Sequence, residues 1–383
     1  MRLLYLLPVA LWAATVSAQS LKSWAGTNSY FLQSLDDGQQ VKHIQDLAAL
    51  GVKAIRLWVR EQLSHCEKGS VRGQTCRALE NQEFGGVGRY DPVTMDLLDK
   101  TLLNIQTHGK GMKVIISPHD SNSVQNSYTL KYPQNDFYHN GNAEADYDNR
   151  LKYIMEYQGQ YMKRPWKDLH DLIIAFDVQN EPLLAYKGTG KPGVCSIPDS
   201  AKGWVCKRAT NMRKILGADN PIKIASGGIG GDANNQCSFL DDAMKCPDLD
   251  VIALHIYPDR NGGGIEKHFA DWSKQGGGGK LIYVEELGLT WRKLTGPGCA
   301  NNDPNVKDWD VPAAFKASAE KLNNAGIPWL SWSIIPDVVP ECQQGFNDDC
   351  DSTPIPITQK KVDFAGPMKA AADANLTPGG FAI

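Results

Sequence analysis

Two of the apolar segments in this sequence end in a pair of polar residues. The letters NEP follow one such segment at Asn180 and Glu181, and the letters EELG end another at Glu285 and Glu286. If the two segments are strands that meet at one edge, their carboxyl groups could face each other across a cleft. One carboxyl group could then transfer a proton while the other attacks or stabilises a reacting centre. An ordinary solvated loop after a strand is the alternative interpretation.

Other apolar segments also carry residues of catalytic type at or near their ends. These candidate residues are Arg56 and Trp58, His119 followed by Asp120, His255 and Tyr257, and Trp332. Because side chains alternate along a strand, His255 and Tyr257 would share one face. For the same reason, Glu285 and Glu286 could not both point inward from a regular strand.

Short apolar runs alternate with amphipathic stretches along the chain. The predicted strands are 23–29, 53–59, 113–117, 172–178, 222–226, 251–256, 281–284 and 328–334. The predicted helices are 39–50, 92–107, 145–162, 200–216, 264–272, 311–324 and 362–373, with 230–248 as the weakest helical segment. Eight such units predict an α/β fold in which parallel strands close into a (β/α)8 TIM barrel.

A single barrel domain explains the pattern better than an open doubly wound sheet. No GxGxxG motif follows the first strand, and the glycine cluster at 227–231 follows the fifth. The longest predicted loops are 60–91, 118–145, 182–200 and 336–361, and each follows a strand. In a barrel these loops share the face that carries the active site. We therefore expect a cleft on that face.

The start of the chain predicts export. Residues 1–18 combine Arg2, an apolar stretch too short to span a membrane, and small residues before position 19, so we expect a signal peptide and a mature domain at 19–383. The formal net charge is −3 and no basic stripe is present, which argues against nucleic acid or anionic membranes as partners. We expect a secreted monomer without cofactor or metal.

The nine cysteines agree with an oxidising compartment. Three pairs are close in sequence, namely Cys66 with Cys76, Cys195 with Cys206, and Cys237 with Cys246. Each pair could close one loop, although spacing alone leaves the connectivity open. No CxxC spacing indicates a zinc site or a redox motif, so we interpret the cysteines as structural.

Glycoside hydrolysis is a reaction that needs this combination of residues. One carboxylic acid protonates the leaving oxygen, and a carboxylate acts across the sugar ring, at a separation of about 5 Å when configuration is retained. Strands four and seven lie on opposing sides of an eight-stranded barrel, so Glu181 and Glu286 could meet across a sugar. Asn180 could then bind a neighbouring hydroxyl group.

The motif set resembles glycoside hydrolase family 5, a family of retaining (β/α)8 enzymes. The matching stretches are GVKAIRLW, DVQNEP, LHIYP and YVEELG, and the opening WAGTNSYF is most similar to fungal endo-β-1,4-mannanases of that family. The resemblance covers the chain from about Trp24 to Trp332 and implies a secreted endo-β-1,4-mannanase that acts on cell-wall polysaccharide or oligosaccharide.

The resemblance also implies roles for individual residues. Glu181 would be the general acid/base and Glu286 the nucleophile, since the nucleophile of the family precedes one residue and then glycine. Tyr257 would bond to the nucleophile and Arg56 would keep it ionised. The remaining substrate-binding residues would be Trp58, His119, Asn180, His255 and Trp332, with Trp332 as a stacking floor for the sugar.

Two positions depart from the mannanase pattern. Leu183 stands where an arginine is usual, and Leu287 stands where an aromatic residue usually follows the nucleophile. A β-glucanase or cellulase-type activity, or an exo-acting family 5 glycosidase, is therefore the alternative. A barrel that binds carbohydrate without cleaving it is a further alternative of another class.

Overall fold

The computed structural model describes residues 20–60, 83, 86–121, 128, 130–133, 136–184, 195–231, 233, 237–257, 279–288, 311–337, 355–358 and 362–383. Eight parallel strands follow one another in chain order and close into a barrel, because β1 pairs with both β2 and β8. The predicted (β/α)8 architecture is confirmed. The predicted signal peptide at 1–18 lies outside the described residues.

The barrel strands coincide with the predicted apolar runs. They are β1 Ala25–Ser29, β2 Ala54–Trp58, β3 Lys113–Ser117, β4 Ile173–Asp177, β5 Lys223–Ala225, β6 Val251–Ile256, β7 Leu281–Gly288 and β8 Trp329–Trp332. A short parallel pair, β9 Ile334–Ile335 with β10 Ile355–Pro356, lies beyond β8. Almost every strand residue is buried, as expected when helices cover the outside of a parallel sheet.

The described helices lie between or after these strands. They are α1 Asp37–Leu50, α2 Pro92–His108, α3 Gly141–Met155, α4 Trp204–Leu216, α5 Asp241–Met244, α6 Val311–Ala325 and α7 Ala365–Asp373. The predicted helix at 264–272 lies outside the described residues. No helix in the described ranges is long and apolar enough to cross a membrane.

Capping residues explain where the helices begin. The Asp91 carboxylate accepts from the Val93 amide before α2. Asn140 accepts from two amides at the start of α3, which therefore begins four residues before the predicted Ala145. The weak prediction over 230–248 reduces to the single turn α5.

Two apolar layers hold the barrel together. The larger layer lies between the strands and the surrounding helices. The smaller one fills the barrel interior below the carboxyl-terminal strand ends and consists of Trp24, Ala54, Ile115, Ala175, Ala225, Val251, Ala253, Tyr283, Leu330 and Phe381. The alanines leave room for the three aromatic rings, which pack with centroids 5.8 to 6.2 Å apart.

The described disulfides correct the pairing suggested by sequence proximity. Cys195 bonds to Cys237 and Cys206 bonds to Cys246, at separations of 42 and 40 residues. Each bond therefore joins the region of α4 to the segment before β6 instead of closing a short loop. The pair Cys66 and Cys76 lies outside the described residues.

The interior layer predicts a strong effect at the carboxyl terminus. Phe381 is buried beside Trp24 and Tyr283. Phe381→Ala should lower the free energy of unfolding by about 3 kcal/mol, because it leaves a cavity at the base of the barrel. Thermal and denaturant unfolding would measure this loss. Ile383→Ala, at a side chain that is 44% exposed, is the matched control and should change stability little. Equal effects of the two changes would contradict the assigned role of Phe381.

Candidate active site

The guanidinium of Arg56 lies at the centre of a buried polar cluster at the carboxyl ends of the strands. Its Nη1 donates to Glu286 Oε1 at 2.8 Å, and its Nε and Nη2 donate to Asp177 Oδ2 at 2.9 and 2.8 Å. Nη2 also lies 3.1 Å from Glu285 Oε2 and 3.0 Å from Asn180 Oδ1. Arg56 therefore links the ends of β2, β4 and β7.

A β-bulge brings both adjacent glutamates of β7 into this cluster. Val284 pairs with Leu254, and Glu286 pairs with His255, so Glu285 is an extra residue relative to β6. The register with β8 shifts over the same stretch. A regular strand would turn one of the two side chains away, whereas the bulge lets Glu285 and Glu286 both contact Arg56. The sequence predicted that a regular strand would point only one of these two glutamates inward. Because β7 contains a bulge, both point inward.

His255 lies between the glutamates of β4 and β7. Its Nδ1 is 3.0 Å from Glu181 Oε1 and 3.4 Å from Glu286 Oε2, and its Nε2 is 3.0 Å from Glu285 Oε2. Tyr257, on the same side of the chain, donates its hydroxyl to Glu286 Oε2. The sequence thus predicted correctly that His255 and Tyr257 share a face.

The backbone after β4 turns sharply to present Glu181. Glu181 has a φ of +47° and Leu183 a φ of +66°, both in the left-handed region that costs non-glycine residues free energy. The Glu181 amide donates to the Gly227 carbonyl at 2.6 Å, which holds the turn against the loop after β5. The Glu181 side chain is 14% exposed, against 3% for Glu286 and none for Glu285.

The carboxyl groups of Glu181 and Glu286 face each other at short range. One oxygen of each, together with a nitrogen of His255, lies in a group whose members are all within 4.8 Å of one another. This upper limit on the distance between the two oxygens is compatible with the separation of about 5 Å found in retaining glycosidases. It leaves less room than an inverting mechanism needs for a water molecule between the carboxyl groups.

Asn180 is oriented from both ends of its amide. Its oxygen accepts from Arg56, and its nitrogen donates to Asp120 Oδ1 at 3.0 Å. Asp120 also accepts from Arg60 at 3.0 Å. Asp120 is a site residue that sequence reasoning noticed at the end of β3 without assigning a role. The available signal was its position directly after His119, beyond the predicted strand 113–117.

An aromatic wall borders Arg56 on the side of β1, β2 and β8. The Trp332 ring stacks on Tyr30, with centroids 5.2 Å apart, and lies 5.4 Å from Trp58. The Arg56 guanidinium carbon is 4.6 Å from the Trp58 ring centroid. Trp332 and Trp58 therefore lie next to the polar cluster.

His119 has a different environment from the other predicted substrate-binding residues. Gln179 accepts from the Tyr138 hydroxyl, so its amide nitrogen donates to His119 Nδ1 at 3.0 Å. The His119 ring also packs against Tyr128 and Tyr147. The described contacts of the His119 ring are thus with Gln179 and these aromatic rings, while the side chain of Asp120 contacts that of Asn180.

Burial and charge determine the protonation states in the cluster. Burial would lower the pKa of His255, but Glu286, Glu181 and Glu285 together raise it to about 10. Burial would raise the pKa of Glu285, but Arg56 and His255 lower it to about 2. For Glu286, burial raises the pKa above its ordinary value even though His255 and Arg56 act in the opposite direction. The predicted contact of Arg56 with Glu286 is present, but burial outweighs its effect on the pKa.

Asp177 lies beside Glu285 in the deepest part of the cluster, and both pair with Arg56. Burial and the negative charge of Glu285 raise the pKa of Asp177 well above its ordinary value, although Arg56 opposes this. The two carboxyl groups titrate as a coupled pair. Within the described residues, the site therefore balances two cations, Arg56 and His255, against the carboxylates of Glu285 and Glu286.

The same side chains have the donor types of a metal site. Glu181, His255 and Glu286 each offer one ligand atom within the 4.8 Å group. Metal binding would require His255 to lose a proton from a nitrogen that already faces a carboxylate, next to the positive charge of Arg56. The arrangement therefore suits proton-transfer and hydrogen-bonding chemistry better than metal coordination.

The family model described as cellulase (glycosyl hydrolase family 5) matches residues 16–337, which include the whole cluster. The chain belongs to glycosyl hydrolase family 5. It is therefore a glycoside hydrolase of the retaining class, and the predicted resemblance is confirmed. Among curated proteins, no significant match was found.

Solved structures share the fold of this family 5 enzyme at low sequence identity. The endo-1,4-β-mannanase from Rhizomucor miehei has a TM-score of 0.62 at 15% identity, covering 94% of this chain and 97% of its own. The family 5 mannosidase from the same organism has a TM-score of 0.59 at 13% identity, with coverages of 92% and 95%. The endo-β-1,4-glucanase Xac0029 from Xanthomonas axonopodis pv. citri has a TM-score of 0.52 at 11% identity, with coverages of 92% and 100%.

The close approach of Gly228 to His255 yields a prediction for this family 5 enzyme. A Cβ atom at Gly228 would lie 2.5 Å from the His255 ring. Gly228→Ala should displace the ring and lower kcat/KM on the order of 100-fold, because displacements of about 1 Å at a catalytic site have effects of this size. Steady-state kinetics on a soluble glycan would measure the loss.

Gly203→Ala is the matched control for that experiment. Gly203 has a φ of +82°, close to the +78° of Gly228, but a Cβ atom there would meet nothing within 4 Å. The control therefore carries a similar backbone strain without the collision. If both variants lost activity equally, strain and not contact with His255 would be the cause.

Proposed function

We propose that this family 5 enzyme is a secreted endo-β-1,4-mannanase in which Glu181 is the general acid/base and Glu286 is the nucleophile. The main support is that one carboxyl oxygen of Glu181 lies within 4.8 Å of one carboxyl oxygen of Glu286. Glu286 is also hydrogen-bonded to Arg56 and Tyr257. Arg56, Trp58, Asn180, His255, Tyr257 and Trp332 would form the sugar-binding surroundings. A substrate contact by His119 remains a separate prediction.

The first half of the reaction forms a covalent intermediate. A carboxylate oxygen of Glu286 attacks the anomeric carbon while Glu181 donates its proton to the departing glycosidic oxygen. The bond between sugar and leaving group breaks as the bond to Glu286 forms. Arg56 and Tyr257 orient the attacking carboxylate, and Asn180 would bind the hydroxyl group next to the reacting carbon through the second hydrogen of its amide nitrogen.

The second half releases the product. Glu181, now ionised, takes a proton from a water molecule, whose oxygen attacks the anomeric carbon and displaces Glu286. Two inversions at the same carbon restore its β configuration. Product anomers followed by NMR should therefore be β at first.

Mannan as the substrate is supported by the WAGTNSYF and RLW stretches and by the mannanase among the similar structures. The two departures from the mannanase pattern lie at buried positions. Leu183 and Leu287 are each 1% exposed and belong to the apolar core. They are therefore packing residues, and neither one offers a surface for a sugar.

A β-glucan is the second candidate substrate. The similarity of the fold to an endo-β-1,4-glucanase supports it, and the absence of the arginine usual after the Asn-Glu-Pro motif favours it over mannan. A panel of substrates separates the two candidates.

The substrate prediction is tested by hydrolysis across β-1,4-mannan, galactomannan, glucomannan, soluble cellulose derivatives, and β-1,3- and β-1,6-glucans. We expect strong release from the mannans, a rapid fall in viscosity, and oligosaccharide products, as endo action requires. Glu286→Ala should abolish release and serves as the control. Preference for a glucan would contradict the substrate assignment, and release of monosaccharides alone would contradict endo action. Unchanged activity in Glu286→Ala would remove the nucleophile assignment.

The acid/base role predicts a dependence on the leaving group. Glu181→Gln should lower turnover of polysaccharide on the order of 100-fold or more, because the leaving oxygen then receives no proton. The first step with an activated aryl glycoside needs little protonation, so its burst phase should persist. Rapid-mixing kinetics on both substrates would measure this. Equal losses on both would contradict the assignment of Glu181.

Export of the enzyme is supported by its two described disulfides and by the apolar amino-terminal stretch. The expected mature chain begins at Gln19. Amino-terminal sequencing of protein recovered from culture medium would check both the location and the cleavage point.

A further inference from the structure

Glu285 is a fully buried carboxylate that the proposed reaction leaves without a role. It lies one residue from Glu286, is fully buried, accepts a hydrogen bond from the Tyr283 hydroxyl, and lies 3.0 Å from His255 Nε2. It also pairs with Arg56 at 3.1 Å. A buried ion is costly unless its partners compensate it, so the charge of Glu285 depends on its contacts with Arg56, His255 and Tyr283.

The surroundings of His255 indicate what Glu285 provides. From the end of β4, Glu181 faces Nδ1; from β7, Glu286 faces Nδ1 and Glu285 faces Nε2. From the loop after β5, the uncharged Gly228 lies against the ring. On the same segment as His255, the Tyr257 hydroxyl bonds to Glu286. From β2, the positively charged Arg56 pairs with both β7 carboxylates that face the His255 ring.

Both ring nitrogens of His255 therefore face carboxylate oxygens. An ionised carboxylate accepts hydrogen bonds and cannot donate them, whereas a doubly protonated imidazole donates from both nitrogens. The geometry is satisfied at both nitrogens when the ring is cationic. Glu285 is the partner on the side away from the substrate.

We propose that Glu285 is a positioning residue whose buried carboxylate holds His255 as an imidazolium, so that Nδ1 donates to the catalytic glutamates. This inference rests on the proposed roles of Glu181 and Glu286. Asp177 does not take this role, because its Oδ2 pairs with Arg56 while the carboxylate oxygens that face the His255 ring belong to Glu181, Glu285 and Glu286. The bulge in β7 allows a second glutamate, Glu285, to point into the cluster beside Glu286.

The raised pKa of His255 and the lowered pKa of Glu285 agree with this role. With Glu285 ionised, the ring keeps its proton up to about pH 10. Removal of the carboxylate charge weakens the attraction that stabilises the cationic ring. Its pKa must then fall, and activity that needs the cationic ring must be lost at lower pH.

The test compares pH profiles of Glu285→Gln and wild type on an activated aryl glycoside and a soluble mannan. On the activated aryl glycoside, whose departure needs little protonation by Glu181, we expect the alkaline limb of kcat to move down by about 1 to 3 pH units, the usual effect of one opposite charge at short range. KM at pH 5 should change little, because the residue does not touch substrate. Tyr283→Phe removes a hydrogen bond to Glu285 but keeps its charge, so its limb should stay near that of wild type.

A variant that restores the negative charge at position 285 should return the alkaline limb of the kcat profile to its wild-type pH. Glu285→Asp should bring the alkaline limb back toward wild type, even if the shorter side chain lowers kcat. If Glu285→Gln lowered the melting temperature while leaving the limb in place, the residue would be merely structural. A downward shift of equal size in Tyr283→Phe would also overturn the proposal.

A direct measurement on the unmodified enzyme separates this proposal from the proposed function. In ¹⁵N-histidine-labelled protein, with His255→Gln used for assignment, both ring nitrogens of His255 should be protonated at pH 7 and should titrate near pH 10. A neutral ring at pH 7 would overturn the role of Glu285. Absence of hydrolysis across the glycan panel would instead refute the proposed function and leave this titration interpretable.

Discussion

The buried guanidinium of Arg56 is the interaction on which the site depends. Removing such a group from water costs several kcal/mol, which ion pairs repay only when their geometry is good. Arg56 obtains this geometry from Asp177 on β4 and from Glu285 and Glu286 on β7. The partners lie on strands far apart in sequence, so closure of the barrel is what makes the ion cluster possible. Misplacement of any of these strands would leave a buried charge uncompensated.

The bulge in β7 resolves a conflict between strand geometry and charge balance. The cluster contains two cations, so it needs two nearby anions, yet a regular strand would turn one of two consecutive glutamates outward. The extra residue in β7 places both Glu285 and Glu286 beside Arg56. The two then differ in their partners: Glu285 contacts Tyr283 and His255, while Glu286 contacts Tyr257 and lies near Glu181.

The fold was predictable because parallel strands covered by helices appear as largely apolar runs, as β3, β4 and β6 do, although β1 (AGTNS) is mostly polar. Most of the site was also predictable, since Arg56, Asn180, Glu181, His255 and Glu286 stand at strand ends that a closed barrel must bring together. The difference between His119 and Asp120 was less accessible, because their orientation depends on how the chain leaves β3. The bulge, and with it the position of Glu285, follows from pairing with neighbouring strands and leaves no periodic signal in the sequence.

The disulfide connectivity was likewise not predictable from the sequence alone. Proximity along the chain suggested Cys195 with Cys206 and Cys237 with Cys246, but the fold brings the residues together in the exchanged order. Which sulfur atoms meet is decided by how α4 packs against the segment before β6, a tertiary property that spacing does not encode.

The interior of the barrel consists of an apolar layer below and the polar cluster around Arg56 above it. Below the site, alanines on β2, β4, β5 and β6 make room for Trp24, Tyr283 and Phe381, so apolar packing fixes the strand positions. Above it, the chain tolerates a left-handed Glu181, buried ions and closely spaced carboxyl groups, all of which cost free energy. Tyr283 connects the levels, because its ring packs in the lower layer while its hydroxyl bonds to Glu285. The strained site is therefore supported from below by a mainly apolar layer, to which the Tyr283 hydroxyl connects it.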